Sequence, residues 1–132
     1  MNDRVRLLGD IPQGRLPEIY SAADLLLLPS MREGWPNVLL ESMSCGTPVV
    51  VSDFPGVDDI VAAPEAGRIL DESTPSCLAE TVRELLAAPP ARTATRRYAE
   101  QFDWQSTTEG QITLFHEIVK RPSRDEAGLN SA

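Results

Sequence analysis

A chain of 132 residues with 42% hydrophobic content is long enough for one domain with a real core and too short for two. Its formal net charge of −8, from 20 acidic against 12 basic residues, opposes nucleic acid and other polyanions, which a basic surface must neutralise. No apolar run approaches the about 20 residues of a membrane-spanning helix, and the charged start Met1-Asn2-Asp3-Arg4 is not followed by the apolar stretch of a signal peptide.

Taken in chain order, Val5 to Leu8 is a short apolar segment closed by Gly9-Asp10, which predicts a first strand. Leu16, Ile19, Tyr20 and Ala23 recur at helical spacing, and Asp24 then leads into Leu25 to Leu28, a continuous apolar run stopped by Pro29. A run apolar on both faces suits a parallel strand covered by helices on each side. After the loop from Ser30 to Pro36, Val38 to Met43 predicts a helix ended by Gly46, which caps a helix well because it tolerates the left-handed conformation. Pro48 to Ser52 reads as a β-branched strand, Asp58 to Ala62 as a short helix and Gly67 to Leu70 as another strand.

Thr74 before Pro75 is a good N-cap, and Leu78, Val82, Leu85 and Leu86 line one face of the helix that follows until Pro89-Pro90 ends it. Two further helices are expected, from Arg92 to Gln101 and from about Gln105 to Lys120. Ile112, Phe115 and Val119 form a stripe on the second, and Trp104 at its head is expected to anchor it. This alternation predicts an α/β, Rossmann-like, doubly wound parallel sheet with a helical C-terminal extension. One domain is expected over residues 1–120, with a polar, disordered tail over 121–132.

In such sheets ligands bind at the carboxyl ends of the strands, so the loop after Leu28 is the candidate site. A helix starting near Pro36-Asn37 offers unpaired amides and the positive end of its dipole, which suits a diphosphate at Asn37 and Val38. Gly34 lets a ligand approach the backbone. Glu33 in the loop and Glu41 inside the helix flank that anion site, and carboxylates suit sugar diols while repelling phosphate. Hydroxyls at both ends and phosphate in the middle describe a nucleotide sugar. His116 and the adjacent pair Asp58 and Asp59 read as surface residues, Trp35 as packing, and Cys45 and Cys77, with no metal-ligand spacing around them, as two buried thiols in a reduced chain.

The segment Pro29-Ser30-Met31-Arg32-Glu33-Gly34-Trp35-Pro36-Asn37, continued by Leu40-Glu41-Ser42-Met43-Ser44-Cys45-Gly46-Thr47-Pro48, resembles the retaining glycosyltransferases of the GT-B class, of the group 1 or family 4 type. The resemblance runs from Val5 to about Val119, and its sharpest element is the pair of glutamates eight positions apart, Glu33 and Glu41. It implies that Glu33 contacts the donor sugar as the catalytic-site glutamate and that Glu41 binds the ribose. Gly34, Pro36, Asn37 and Val38 would complete the donor site. A Gly-Gly-x-Pro-Glu turn usual in the family is replaced by Pro55-Gly56-Val57-Asp58-Asp59, where Gly56 and Asp59 match.

The resemblance implies the donor-binding part of a retaining hexosyltransferase of polysaccharide biosynthesis, using a UDP-, GDP- or ADP-sugar and neither metal nor other cofactor. The acceptor, a glycan or lipid, would be held by an N-terminal domain that lies upstream in the family, together with the basic pair that grips the diphosphate. The expected location is the cytoplasm, including the inner membrane face. Two other readings fit the residues: a nucleotide-sugar-binding module or truncated product without catalysis, and a Rossmann-like interaction domain that recognises no diol.

Overall fold

A computed structural model describes residues 4–120. The chain divides into two compact units at Gln101 and Phe102, inside the span expected as one domain. In the first, a 3-10 turn (Gln13–Arg15) leads to α1 (Leu16–Ala22), β1 (Leu26–Leu28), α2 (Asn37–Ser44), β2 (Val49–Val51), α3 (Val57–Ile60), β3 (Gly67–Ile69), α4 (Pro75–Ala87) and α5 (Arg92–Ala99). The second holds α6 (Trp104–Lys120). Its expected stripe of Ile112, Phe115 and Val119 is exposed. The packing expected of the Trp104 side chain and the tail at 121–132 fall outside what is described.

The three strands form one parallel sheet in the order β1-β2-β3, with Leu26 opposite Val49 and Val49 opposite Gly67. Two successive crossovers of the same hand place α2 and α3 on one face. Alternate residues of β2 record both coverings. Val49 and Val51 pack with Leu39 and Met43 of α2 and Val57 and Ile60 of α3, while Val50 packs with Leu70 and Leu85 on the face that α4 covers. A strand buried on both faces has no polar side to show in its sequence, which is why β2 is three consecutive valines.

Val5 to Leu8 corrects the expectation of a first strand: the segment is irregular, and Val5, Leu7 and Leu8 are all exposed. An extended apolar segment becomes a strand when a neighbour accepts its hydrogen bonds, and the free edge of β1 carries no partner among the described residues.

Local signals decide the helix ends. Thr74 Oγ1 accepts from the Cys77 N–H at 3.3 Å, as its N-cap position predicts. At the end of α2, Gly46 takes φ 78°, its N–H donates to Met43 O at 2.8 Å, and Thr47 N–H donates to Ser42 O at 3.0 Å. These two bonds are the Schellman pair that satisfies the last carbonyls of a helix. A side chain at 46 would also press on α5, since its Cβ would lie 2.9 Å from Arg92 O. α5 packs across α2 there, and the Arg92 guanidinium donates to Ser21 O at 2.8 Å, Ala23 O at 3.1 Å and Thr47 Oγ1 at 2.9 Å. One planar fork therefore ties together the C-terminal ends of α1 and α2, where the helix dipoles favour a cation.

Asp58 and Asp59 occupy the first turn of α3, where carboxylates favour the positive end of the helix dipole. Cys45 and Cys77 are free thiols, half-buried rather than fully enclosed. Among the described residues no helix is long and apolar enough to cross a membrane.

Candidate functional site

Parallel strands end on one edge, so the loops that follow β1 and β2 emerge side by side. Ser52 N–H, directly after β2, donates to Leu28 O at 3.2 Å and fixes the root of the loop from Pro29 to Pro36. That loop carries Glu33, half-buried, and Gly34 and Trp35, both exposed. Trp35 is 52% exposed, which departs from the packing role its residue type suggests. Gly34 has no positive φ and its added Cβ would meet nothing within 4 Å, so the protein itself makes no demand for glycine here. Space at the backbone is what remains.

Pro36, buried, is the N-cap of α2, and it supplies no side-chain hydrogen bond. The first turn holds no acidic residue. Leu39 N–H turns back to Pro36 O at 3.0 Å, whereas the N–H groups of Asn37 and Val38 meet no acceptor among the described residues. The positive end of the α2 dipole therefore faces the carboxyl edge of the sheet with no side-chain cap and no acidic residue in its first turn. Glu41 stands four residues into the helix, about 6 Å along its axis from Asn37 at the usual rise per residue. Its carboxylate is half-buried, and Oε2 accepts a hydrogen bond from the Tyr20 hydroxyl of α1 at 3.0 Å. Oε1 has no protein partner among the described residues.

Two further residues around Glu41 and the loop root were not singled out by the sequence reading. Tyr20 reads as one more position of an apolar helical face, yet its hydroxyl reaches α2. Burial and the neighbouring Glu41 carboxylate push its pKa up to about 12, so it is a donor at any physiological pH. Ser52 closes a β-branched run, and its Oγ is buried with no hydrogen-bond partner. A buried orphan hydroxyl is unfavourable by about 1–3 kcal/mol, and this one lies on the carboxyl edge. A serine ending a strand that is otherwise all valine was the available hint. An open depression of about 300 Å³ lined by Glu65, Arg97, Tyr98 and Gln101 sits before the amino end of β3, at the opposite edge of the sheet.

The fold and this edge define a class: a Rossmann-like parallel sheet with an uncapped helix start and two glutamates beside it. The family follows from comparison with known proteins. The chain matches the family "Glycosyl transferases group 1" over residues 1–102 and belongs to it. It is 32% identical to a D-inositol 3-phosphate glycosyltransferase of Corynebacterium urealyticum over 97% of this chain and 31% of that protein. The same-named protein of Thermobispora bispora is 34% identical over 98% of this chain and 31% of its own length. Among solved structures, sucrose-phosphate synthase from Thermosynechococcus elongatus superposes with a TM-score of 0.73 at 31% identity, covering 89% of this chain and 31% of that one. The chain thus spans about a third of the length of the proteins it matches.

Proposed function

We propose that this chain forms the donor-binding wall of a glycosyltransferase that moves a hexose from a nucleotide sugar to an acceptor hydroxyl with retention. The observation that carries the reading is the uncapped N-terminus of α2 between Glu33 and Glu41 at the carboxyl edge. The Asn37 and Val38 amides hold the diphosphate through backbone donors and the helix dipole, so binding requires no metal ion. Gly34 and Pro36 shape the approach to those amides. Carboxylates repel phosphate, so the glutamates act at the two ends of the ligand: Glu41 accepts from the ribose diol and Glu33 from hydroxyls of the sugar. Transfer needs donor and acceptor held together in a water-poor cleft, and this sheet edge supplies one side of it. The acceptor is a glycan or lipid held by the opposing domain. Two free thiols and a nucleotide-sugar donor suit the reducing cytoplasm.

Calorimetric titration of UDP-, GDP- and ADP-sugars, each beside its free nucleoside diphosphate, tests the assignment. Glu41→Ala is expected to weaken both ligands of the preferred pair by about tenfold, as loss of charge-assisted hydrogen bonds implies. Glu33→Ala weakens the nucleotide sugar alone, because the diphosphate lacks the hexose. A folded sample that binds no nucleotide at millimolar concentration would sink the reading.

A further inference from the structure

We propose that Tyr20 is a positioning residue for the donor: its hydroxyl holds the Glu41 carboxylate so that Oε1 faces the ribose diol. The inference rests on the assignment of Glu41 to the ribose and names what makes that carboxylate competent.

A glutamate side chain has three free torsions, and an exposed one spreads over many rotamers that a ligand must select from. Glu41 is half-buried on α2, and the Tyr20 hydroxyl, 3.0 Å from Oε2, occupies one of the carboxylate's roughly four acceptor positions. The bond is charge-assisted and directional. It leaves Oε1 and the second lone pair of Oε2 for a diol, whose two hydroxyls need adjacent acceptors.

Tyr20 is itself held firmly. Its carbonyl accepts from Thr47 Oγ1 at 2.6 Å, Thr47 Oγ1 accepts from Arg92 at 2.9 Å, and the same guanidinium reaches Ser21 O and Ala23 O. The backbone of α1 around residue 20 is therefore locked to the C-terminal end of α2. A donor mounted on that joint places Glu41 before the ligand arrives, and pre-organisation of this kind adds affinity without adding a ligand contact. Burial and the Glu41 carboxylate push the pKa of the hydroxyl up to about 12, so it remains a donor at physiological pH.

A merely structural tie between α1 and α2 would change stability and leave ligand selectivity alone. The test uses the full chain and measures dissociation constants for UDP, GDP and ADP and for their 2′,3′-dideoxy forms, in the parent, Tyr20→Phe, Glu41→Ala and the double variant. For the nucleotide that the parent binds, Tyr20→Phe is expected to lose roughly three- to tenfold for the ribose form and less than about twofold for the dideoxy form. In the Glu41→Ala background the same change has no further effect. Equal binding by the parent and Tyr20→Phe, while Glu41→Ala removes the preference for ribose, overturns the role of Tyr20 and leaves that of Glu41 standing. If Glu41→Ala keeps the preference, or the parent binds no nucleotide, both assignments fall. Should Tyr20→Phe not fold, the ring resonances of labelled Tyr20 in the parent decide: a larger shift with the ribose form than with the dideoxy form supports the proposal, and equal shifts overturn it.

Discussion

β1 and β2 are parallel three-residue strands cut from equally apolar runs, Leu25 to Leu28 and Val49 to Val51, and their surroundings differ. All three valines of β2 have no exposed surface, whereas Leu27 of β1 is 37% exposed. β2 has a strand on each side and helices over both faces; among the described residues β1 has one strand neighbour, and its loop opens onto the candidate site. An apolar run thus reports what a strand can bury, and its rank in the sheet sets how much it does bury. The same difference separates labour in the molecule. β2 anchors the core, and the end of β1 carries the loop from Pro29 to Pro36 that holds Glu33.

β2 depends most on Gly67, the first residue of β3, which pairs with Val49 and has φ 148°. A Cβ there would collide with the Val49 carbonyl oxygen, a backbone atom that cannot move aside without parting the strands. Gly67→Ala is expected to cost about 4 kcal/mol or more in urea unfolding, or to leave the chain unfolded.

A second contrast sets the central strand against the edge. Val50→Ala removes two buried carbons and leaves a cavity between β2 and α4, with an expected loss of about 2 kcal/mol. Leu27→Ala, a larger truncation at a partly exposed position, is expected to cost less than about 1 kcal/mol. Equal losses would show that β1 is as buried in solution as β2.

The smallest effect concerns the joint of α1 and α2 beside the site. Tyr20 has its pKa raised from 10.0 to about 12, so its proton is held more tightly in the folded state than in the unfolded one. Below pH 10 both states keep the proton and the contribution is complete. Between pH 10 and pH 12 the unfolded chain releases it first, so stability falls as pH rises and the contribution is gone above the folded value. The stability difference between the parent and Tyr20→Phe should therefore shrink across that window, as read from denaturant unfolding at stepped pH.

Most elements were legible in the sequence because their causes are local. Thr74 with Pro75 and Gly46 after Met43 act within a turn or two, and each stands where its pattern predicts. On α4, Leu78, Val82 and Leu85 pack against the sheet as their period predicts, whereas Leu86, expected on the same face, is exposed. Glu33, Gly34, Pro36, Asn37, Val38 and Glu41 form one continuous segment that the structure carries onto the carboxyl edge as loop and helix start. Val5 to Leu8 misled for the complementary reason: strand composition is local, and strand formation needs a partner.

From Leu16 onward the order of elements, the parallel sheet and the Glu33 to Glu41 segment follow from the amino-acid sequence, since hydrophobic period and turn residues operate between near neighbours. Which apolar run is central, why residue 67 must be glycine and why Ser52 Oγ lacks a partner depend on how the elements pack. So do the meeting of Tyr20 with Glu41 across 21 residues of chain and the closing of the joint behind them by Arg92. Those contacts depend on where whole helices come to rest, and no periodicity within one helix encodes which residue of another it will touch.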